Sequence, residues 1–124
     1  SLQYEDPGED LDEFAARHPE IKIHHWPHGV QIYDYDVTLA LISQLDLVIS
    51  VTTTVVHAAG ALGKECWCLV PERVMWRYMK EGSDFPWAKS VTLYRQKGRE
   101  WPTHILAGKL KDLSESHPAR ITPA

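Results

Sequence analysis

Three short apolar runs that alternate with helical segments constrain the fold of this 124-residue chain more than any other feature. The runs are DLVISV at 46–51, CWCLV at 66–70 and VTLYR at 91–95. Continuous apolar strands that alternate with helices are typical of a parallel sheet covered by helices on both faces. The sequence therefore predicts an α/β, Rossmann-like three-layer domain. In such sheets ligands bind beyond the carboxyl ends of the strands, so functional residues are expected just after Val51, Val70 and Arg95.

The other segments complete an alternating order of helices and strands. Leu11 and Phe14 have helical spacing ahead of a stop at Pro19, and Asp36 is the expected N-cap of the next helix. The remaining predicted elements are a strand IKIHHW at 21–26, helices at 36–45, 53–63 and 102–113, and a short helical VMWRYMKEG at 74–82. We expect one domain over residues 1–113 and a tail over 114–124. The chain begins without methionine, on a loop that leads to a helix. We therefore interpret it as a fragment of a longer protein that lacks the first strand of the domain.

Composition and charge exclude several classes of protein. No apolar run approaches the roughly 20 residues needed to cross a bilayer, so no membrane span is predicted. Cys66 and Cys68 occupy alternate positions of one strand and point to the same face. We interpret them as two buried free thiols, which favours a cytoplasmic protein. The cluster HHWPH offers His24, His25 and His28, but no cysteine or acid lies at a matching short spacing, so no metal site is predicted.

The net charge of −4 is unevenly distributed along the chain. Residues 1–20 hold seven acids and one base, whereas residues 64–99 hold eight bases against four acids. A locally basic region can favour a phosphorylated ligand. The alternative is a solvated surface whose charges balance the acidic N-terminal segment. No nucleic-acid partner is expected.

Three consecutive threonines and a histidine lie where the first apolar run meets the next helix. Thr52, Thr53 and Thr54 form the turn, and His57 falls in the first helical turn. A helix N-terminus carries unpaired backbone N–H groups and a partial positive charge, so it can bind an anion. The alternative is that one threonine caps the helix and His57 is a hydrogen-bonded core histidine. The sequence contains neither Gly-x-Gly-x-x-Gly nor a Walker-type Gly-Lys-Ser/Thr motif.

The stretch from Leu45 to Gln96 resembles the C-terminal half of heptosyltransferase-like glycosyltransferases with two Rossmann-like domains, which in bacteria are often fused to tetratricopeptide repeats. The similarity runs from about Ser1 to Leu113. It is carried by three blocks, which are VTTTVVH with AGALGK, the Trp76–Arg77 pair, and SDFPW followed by VTLYRQ and Trp101.

The resemblance implies a nucleotide-sugar donor site, with the diphosphate held at the turn from Thr52 to His57 and with Trp76 and Arg77 contacting the nucleotide or a phosphate. The donor is a substrate, and the resemblance implies no cofactor or metal. Many relatives have aspartate where this chain has Thr52. The family's preceding domain, which supplies the acceptor side and usually the catalytic base, is absent from these residues. No catalytic residue is therefore assigned, and the piece alone is expected to bind donor weakly and to be inactive.

Two alternatives to an enzyme half stay open. One is a non-catalytic, degenerate transferase module for nucleotide sensing or protein interaction. The other is a small phosphate-binding or hydrolase domain acting alone, which has no Gly-x-Ser-x-Gly nucleophile motif to support it. The expected partners are the nucleotide-sugar, the missing N-terminal Rossmann-like domain, and a second copy paired through an open sheet edge.

Overall fold

The computed structural model describes residues 1–3, 8–27 and 33–116 of the chain. Four α-helices and three strands form in this part. They are α1 (Glu9–Arg17), α2 (Tyr35–Ser43), β1 (Val48–Val51), α3 (Thr54–Ala61), β2 (Cys66–Val70), β3 (Val91–Arg95) and α4 (Thr103–Ser116), with a 3-10 helix at Trp76–Tyr78 between β2 and β3. The helix α4 extends three residues into the segment interpreted as a tail.

The three strands form one parallel sheet in the order β1-β2-β3. Val48 is paired with Cys66, which is paired in turn with Val91, so the three strands begin level with one another. Their carboxyl ends therefore lie side by side, with neighbouring strands about 4.8 Å apart. The fold is α/β and Rossmann-like, and the predicted strand ends at Val51, Val70 and Arg95 are confirmed.

Helices cover both faces of the sheet. On one face α2 and α3 pack over a core that contains both cysteines, Val70 and Leu93. On the other face Leu106 of α4 packs with Trp67 and Tyr94. Alternate residues of β2 and β3 therefore pack into the two cores on opposite faces of the sheet. This explains why these strands are largely apolar along their length.

A glycine allows α3 to approach the sheet closely. A Cβ atom added at Gly60 would lie 2.7 Å from Cβ of Ala88 and 3.3 Å from Cγ2 of Val91. The helix ends as the sequence predicts, because Gly63 adopts a φ of 65°, a left-handed conformation that favours glycine at this position.

Three predictions about secondary structure are wrong. Residues 21–26 form no strand, and two of their backbone groups have other partners: Ile21 N–H donates to the His18 carbonyl, and the His24 carbonyl accepts from the N-terminal amino group of Ser1. Asp36 is not an N-cap, since α2 begins at Tyr35, which packs against the core, and Asp34 takes the cap position. Only Trp76–Tyr78 of the segment 74–82 is helical.

The strand β1 is an edge strand within the described residues, since it pairs only with β2. Ile49 and Val51 on β1 have 43% and 49% of their surface exposed. None of the described helices combines the length and the apolar character needed to span a membrane.

Candidate functional site

The N-terminus of α3 leaves backbone donors unpaired at the carboxyl edge of the sheet. Thr53 is the N-cap, with extended backbone angles, but its side chain makes no capping bond. Its hydroxyl lies 3.1 Å from the Ser50 hydroxyl instead. Within the part of the chain that the structure describes, the N–H groups of Thr54 and Val55 form no hydrogen bond. The exposed turn therefore presents two backbone donors and the Thr54 hydroxyl to solvent.

His57 is held by aromatic side chains in the first turn of α3. Its ring centroid lies 5.9 Å from that of Tyr78 and 5.6 Å from that of Phe85. Nε2 of His57 is 3.3 Å from the Tyr78 hydroxyl oxygen. For Nε2, this contact agrees with the alternative interpretation of the sequence, in which His57 is a hydrogen-bonded histidine. The second ring nitrogen, Nδ1, forms no hydrogen bond to any residue that the structure describes.

Tyr78 is almost fully buried, at 1% exposure, and its ring stacks on Phe85 with centroids 5.5 Å apart. Burial raises the pKa of the Tyr78 hydroxyl, and the nearby Cys68 thiol acts in the same direction. The positive charge of Arg77 opposes this increase in pKa. The Tyr78 hydroxyl therefore remains protonated at neutral pH.

The segment after β2 brings Trp76 and Arg77 to the same edge of the sheet as α3. Trp76 is 74% exposed and meets Trp87 edge to face at 6.0 Å between centroids. Trp87 is fixed in turn, since its Nε1–H donates to the Arg77 carbonyl at 3.0 Å. Nε of Arg77 is buried and has no hydrogen-bond partner among the described residues. This guanidinium forms no ion pair with a described carboxylate.

Arg95, at the end of β3, organises the turn that follows Tyr78. Its Nε donates to the Gly82 carbonyl at 2.8 Å, and Nη1 donates to the Met79 carbonyl at 3.1 Å. Nη2 donates to the carbonyls of Tyr78 and Glu81. The helix predicted over 74–82 does not form, because Met75 has extended backbone angles and the 3-10 helix begins only after it. Met79 itself has a φ of 55°, which ends the 3-10 helix.

Tyr94 does not join this site, because it lies on the opposite face of the sheet, 5.9 Å from Trp67 between ring centroids. His24 stacks on Trp26, and His28 lies outside the described residues. Among the described residues no group of three or more metal-ligating side chains occurs.

Two surface clefts border the same edge of the sheet. One of about 700 Å³ is lined by Glu72, Arg73, Val74, Met75 and Lys80. The other, of about 790 Å³, lies between the end of β3 and the start of α4. Neither is lined by the turn from Thr52 to His57. Thr53 and Thr54 of that turn are exposed at the edge of the sheet.

Both cysteines lie buried in β2 as free thiols, as the sequence predicts. Burial raises the pKa of Cys66 to about 11. Burial also raises the pKa of Cys68, to about 12, with a further increase from Cys66 and a partial decrease from the charge of Arg95. Neither is a thiolate near neutral pH, which argues against nucleophilic or redox chemistry there.

Sequence reasoning missed the long-range contacts through which Tyr78 and Arg95 shape the site. Tyr78 contacts His57 across 21 positions of sequence, and Arg95 reaches carbonyls 13 to 17 positions away. One feature of the sequence could have identified Arg95. It is a charged residue at the end of an apolar strand, and its position places it on the face of the sheet that carries the buried cysteines.

Comparison with protein-family models, with curated proteins and with solved structures found no match for this chain.

Proposed function

We propose that this chain is the nucleotide-sugar donor-binding half of a glycosyltransferase with two Rossmann-like domains. The observation that carries the proposal is the uncapped N-terminus of α3, which presents free backbone N–H groups beside the Thr54 hydroxyl. Free N–H groups at a helix N-terminus are a recurrent way of binding phosphate. In this proposal the diphosphate of the donor lies at the turn from Thr52 to His57.

A second feature supports the same assignment. Trp76 and Arg77 follow β2, the strand next to β1, so they lie on the edge where the diphosphate would bind. The exposed indole of Trp76 offers a flat surface for a base, and the unpaired Arg77 guanidinium offers donors and charge for a phosphate. No acidic partner competes for Arg77 among the described residues.

The proposed chemistry in a complete protein is transfer of the sugar to an acceptor, with the nucleoside diphosphate as leaving group. Negative charge that develops on the leaving phosphate would be stabilised by the α3 N–H groups and hydroxyls. The catalytic base and the acceptor site are assigned to a preceding domain, as the family resemblance implies. We therefore assign binding, and no catalytic residue, to this chain.

A non-catalytic module is the second candidate. Thr52 replaces the acid common at this turn among the proteins that the sequence resembles, and Nε2 of His57 is occupied by Tyr78. Such a module would use the same edge of the sheet to sense a nucleotide or to contact a protein.

The donor site predicts selective binding of one nucleoside diphosphate. We expect UDP, GDP, ADP or CDP at millimolar concentration to shift the amide signals of Thr52 to His57 and of Arg77. Thr54→Pro should weaken this binding about tenfold, because it removes one N–H donor and the hydroxyl. Proline is well tolerated at this first helical position, and Thr53 already has the extended backbone it requires.

Thr54→Val is the matched control, since it keeps the N–H group and loses only the hydroxyl. A smaller loss of affinity in Thr54→Val than in Thr54→Pro would assign the difference to the backbone donor. Wild-type affinity in Thr54→Pro would contradict the proposed phosphate position. The absence of shifts with all four nucleotides would overturn the donor site and favour a protein-interaction module.

A homodimer through β1 is also proposed, because the described sheet leaves that edge unpaired. We expect light scattering to give about twice the 14.2 kDa mass at high concentration. Ile49→Lys should restore the monomer, because a lysine on an edge strand opposes pairing. Ile105→Lys on α4, at 44% exposure against 43% for Ile49, is the matched control. A wild-type monomer throughout the concentration range would rule this dimer out.

A further inference from the structure

The contact between Tyr78 and His57 joins two residues whose hydrogen-bonding roles are linked. The Tyr78 oxygen lies 3.3 Å from Nε2 of His57, and no other hydrogen bond of that hydroxyl occurs within the described chain. Neutral imidazole has one N–H donor and one acceptor nitrogen. One of the two residues must therefore donate to the other, and the choice determines where His57 carries its proton.

Two considerations identify Tyr78 as the donor. The unprotonated nitrogen of imidazole is a strong acceptor, whereas a phenol oxygen is a weak one because its lone pair is delocalised into the ring. If Nε2–H donated to Tyr78, the buried phenol hydrogen would itself have no acceptor among the described residues. An unmade hydrogen bond at a buried donor is unfavourable.

We propose that Tyr78 is a positioning residue that holds neutral His57 in the Nδ1–H tautomer. With Nε2 accepting from the Tyr78 hydroxyl, the proton of the ring lies on Nδ1, which has no partner among the described residues. Nδ1–H is then a free donor in the first turn of α3. In free histidine the Nε2–H tautomer is the commoner one, so this assignment reverses the ordinary preference.

Packing fixes Tyr78 in the position that this role requires. Its ring stacks on Phe85 at 5.5 Å, and its own carbonyl accepts from Nη2 of Arg95. Burial keeps the hydroxyl protonated by raising its pKa. Ring and backbone are thus held independently of any ligand, so the tautomer is set before a ligand binds.

A role of Nδ1–H in binding a ligand rests on the proposed donor site. The assignment of the His57 tautomer does not depend on that site. Side chains of a helix lean toward its N-terminus, so the His57 ring tilts toward the end of α3 where the diphosphate is proposed to lie. An Nδ1–H donor suits an anionic phosphate oxygen, which only accepts hydrogen bonds. The opposite tautomer would present a lone pair there and repel the anion.

The tautomer can be read from long-range ¹H–¹⁵N correlation spectra of the labelled protein, recorded at about pH 8, where an ordinary histidine is neutral. His57→Gln assigns the ring signals of His57 by difference. We expect Nδ1–H in the wild type and mainly Nε2–H in Tyr78→Phe. Tyr94→Phe, which removes the hydroxyl of a buried tyrosine on the other face of the sheet, should leave His57 unchanged. Backbone amide spectra establish that both variants are folded.

An Nε2–H tautomer in the wild type, or an unchanged tautomer in Tyr78→Phe, would overturn the proposal. Nucleotide binding tests its consequence separately: Tyr78→Phe should weaken diphosphate binding about fivefold, the effect of one hydrogen bond. Equal affinity despite a changed tautomer would overturn the recognition role of Nδ1–H. If no form binds nucleotide while the tautomer behaves as expected, the donor site fails and the positioning of His57 stands.

Discussion

Replacing Arg95 with methionine is expected to lower the free energy of unfolding by about 3 kcal/mol. The guanidinium donates to four carbonyls of the turn that follows Tyr78. Methionine fills a similar volume but leaves those carbonyls without their donor. Because Met79 and Gly82 have positive φ angles of 55° and 85°, the turn has no regular helical alternative in place. Urea unfolding monitored by circular dichroism measures the loss.

Two further variants show whether the effect belongs to the hydrogen bonds. Arg95→Lys keeps the charge but cannot match the planar fork of donors, so we expect a loss between those of the wild type and the methionine variant. Arg73→Met, on the exposed surface after β2, removes a cation without a hydrogen bond to any described residue and should change stability by less than about 0.5 kcal/mol. Equal losses in Arg95→Met and Arg73→Met would refute the role of Arg95.

Faster amide exchange in the turn provides a local measure of the same effect. In Arg95→Met we expect exchange to increase first at Met79 to Gly82, because these residues lose the side chain that holds their carbonyls. Weaker diphosphate binding should accompany it if the turn places Tyr78 against His57.

Alkaline pH is expected to destabilise the domain through its two buried thiols. Burial raises the folded-state pKa of Cys66 to about 11, whereas the ordinary value in an unfolded chain is 9.0. Above pH 9 the unfolded state therefore loses thiol protons that the folded state retains. Stability contributed by the neutral thiols is fully present below pH 9 and is lost as pH rises through pH 11, and toward pH 12 for Cys68.

The expected loss between pH 9 and pH 11 is at least about 2 kcal/mol, since each unit of pKa difference corresponds to about 1.4 kcal/mol. Urea midpoints across this range measure it. The double variant Cys66→Ala and Cys68→Ala is the control, because it retains every tyrosine and lysine that ionises at alkaline pH. A smaller decline in the double variant than in the wild type would confirm the contribution of the thiols. Parallel declines would show that the thiols ionise equally well in both states.

Much of the fold follows from local patterns. The apolar runs predicted where β1, β2 and β3 end, because a buried parallel strand needs apolar side chains on both faces until it reaches the edge of the sheet. Alternation along β2 predicted that both cysteines share one face, and Gly63 marked the end of α3. Thr53 was expected in the turn, and it occupies the N-cap. These features depend on residues close in sequence.

The tertiary structure alone decided how the edge of the sheet is organised. The strand predicted at 21–26 does not form, and the His24 carbonyl accepts instead from the amino group of Ser1, a distant contact that a local sequence pattern does not reveal. The helix predicted over 74–82 is reduced to Trp76–Tyr78, because the backbone is extended at Met75 and has a positive φ at Met79, where Arg95 holds the turn that follows. The environment of His57 likewise arises only when Tyr78 packs against α3. Periodicity encodes which face of an element is buried, whereas pairing between distant polar groups depends on distances that exist only in the folded chain.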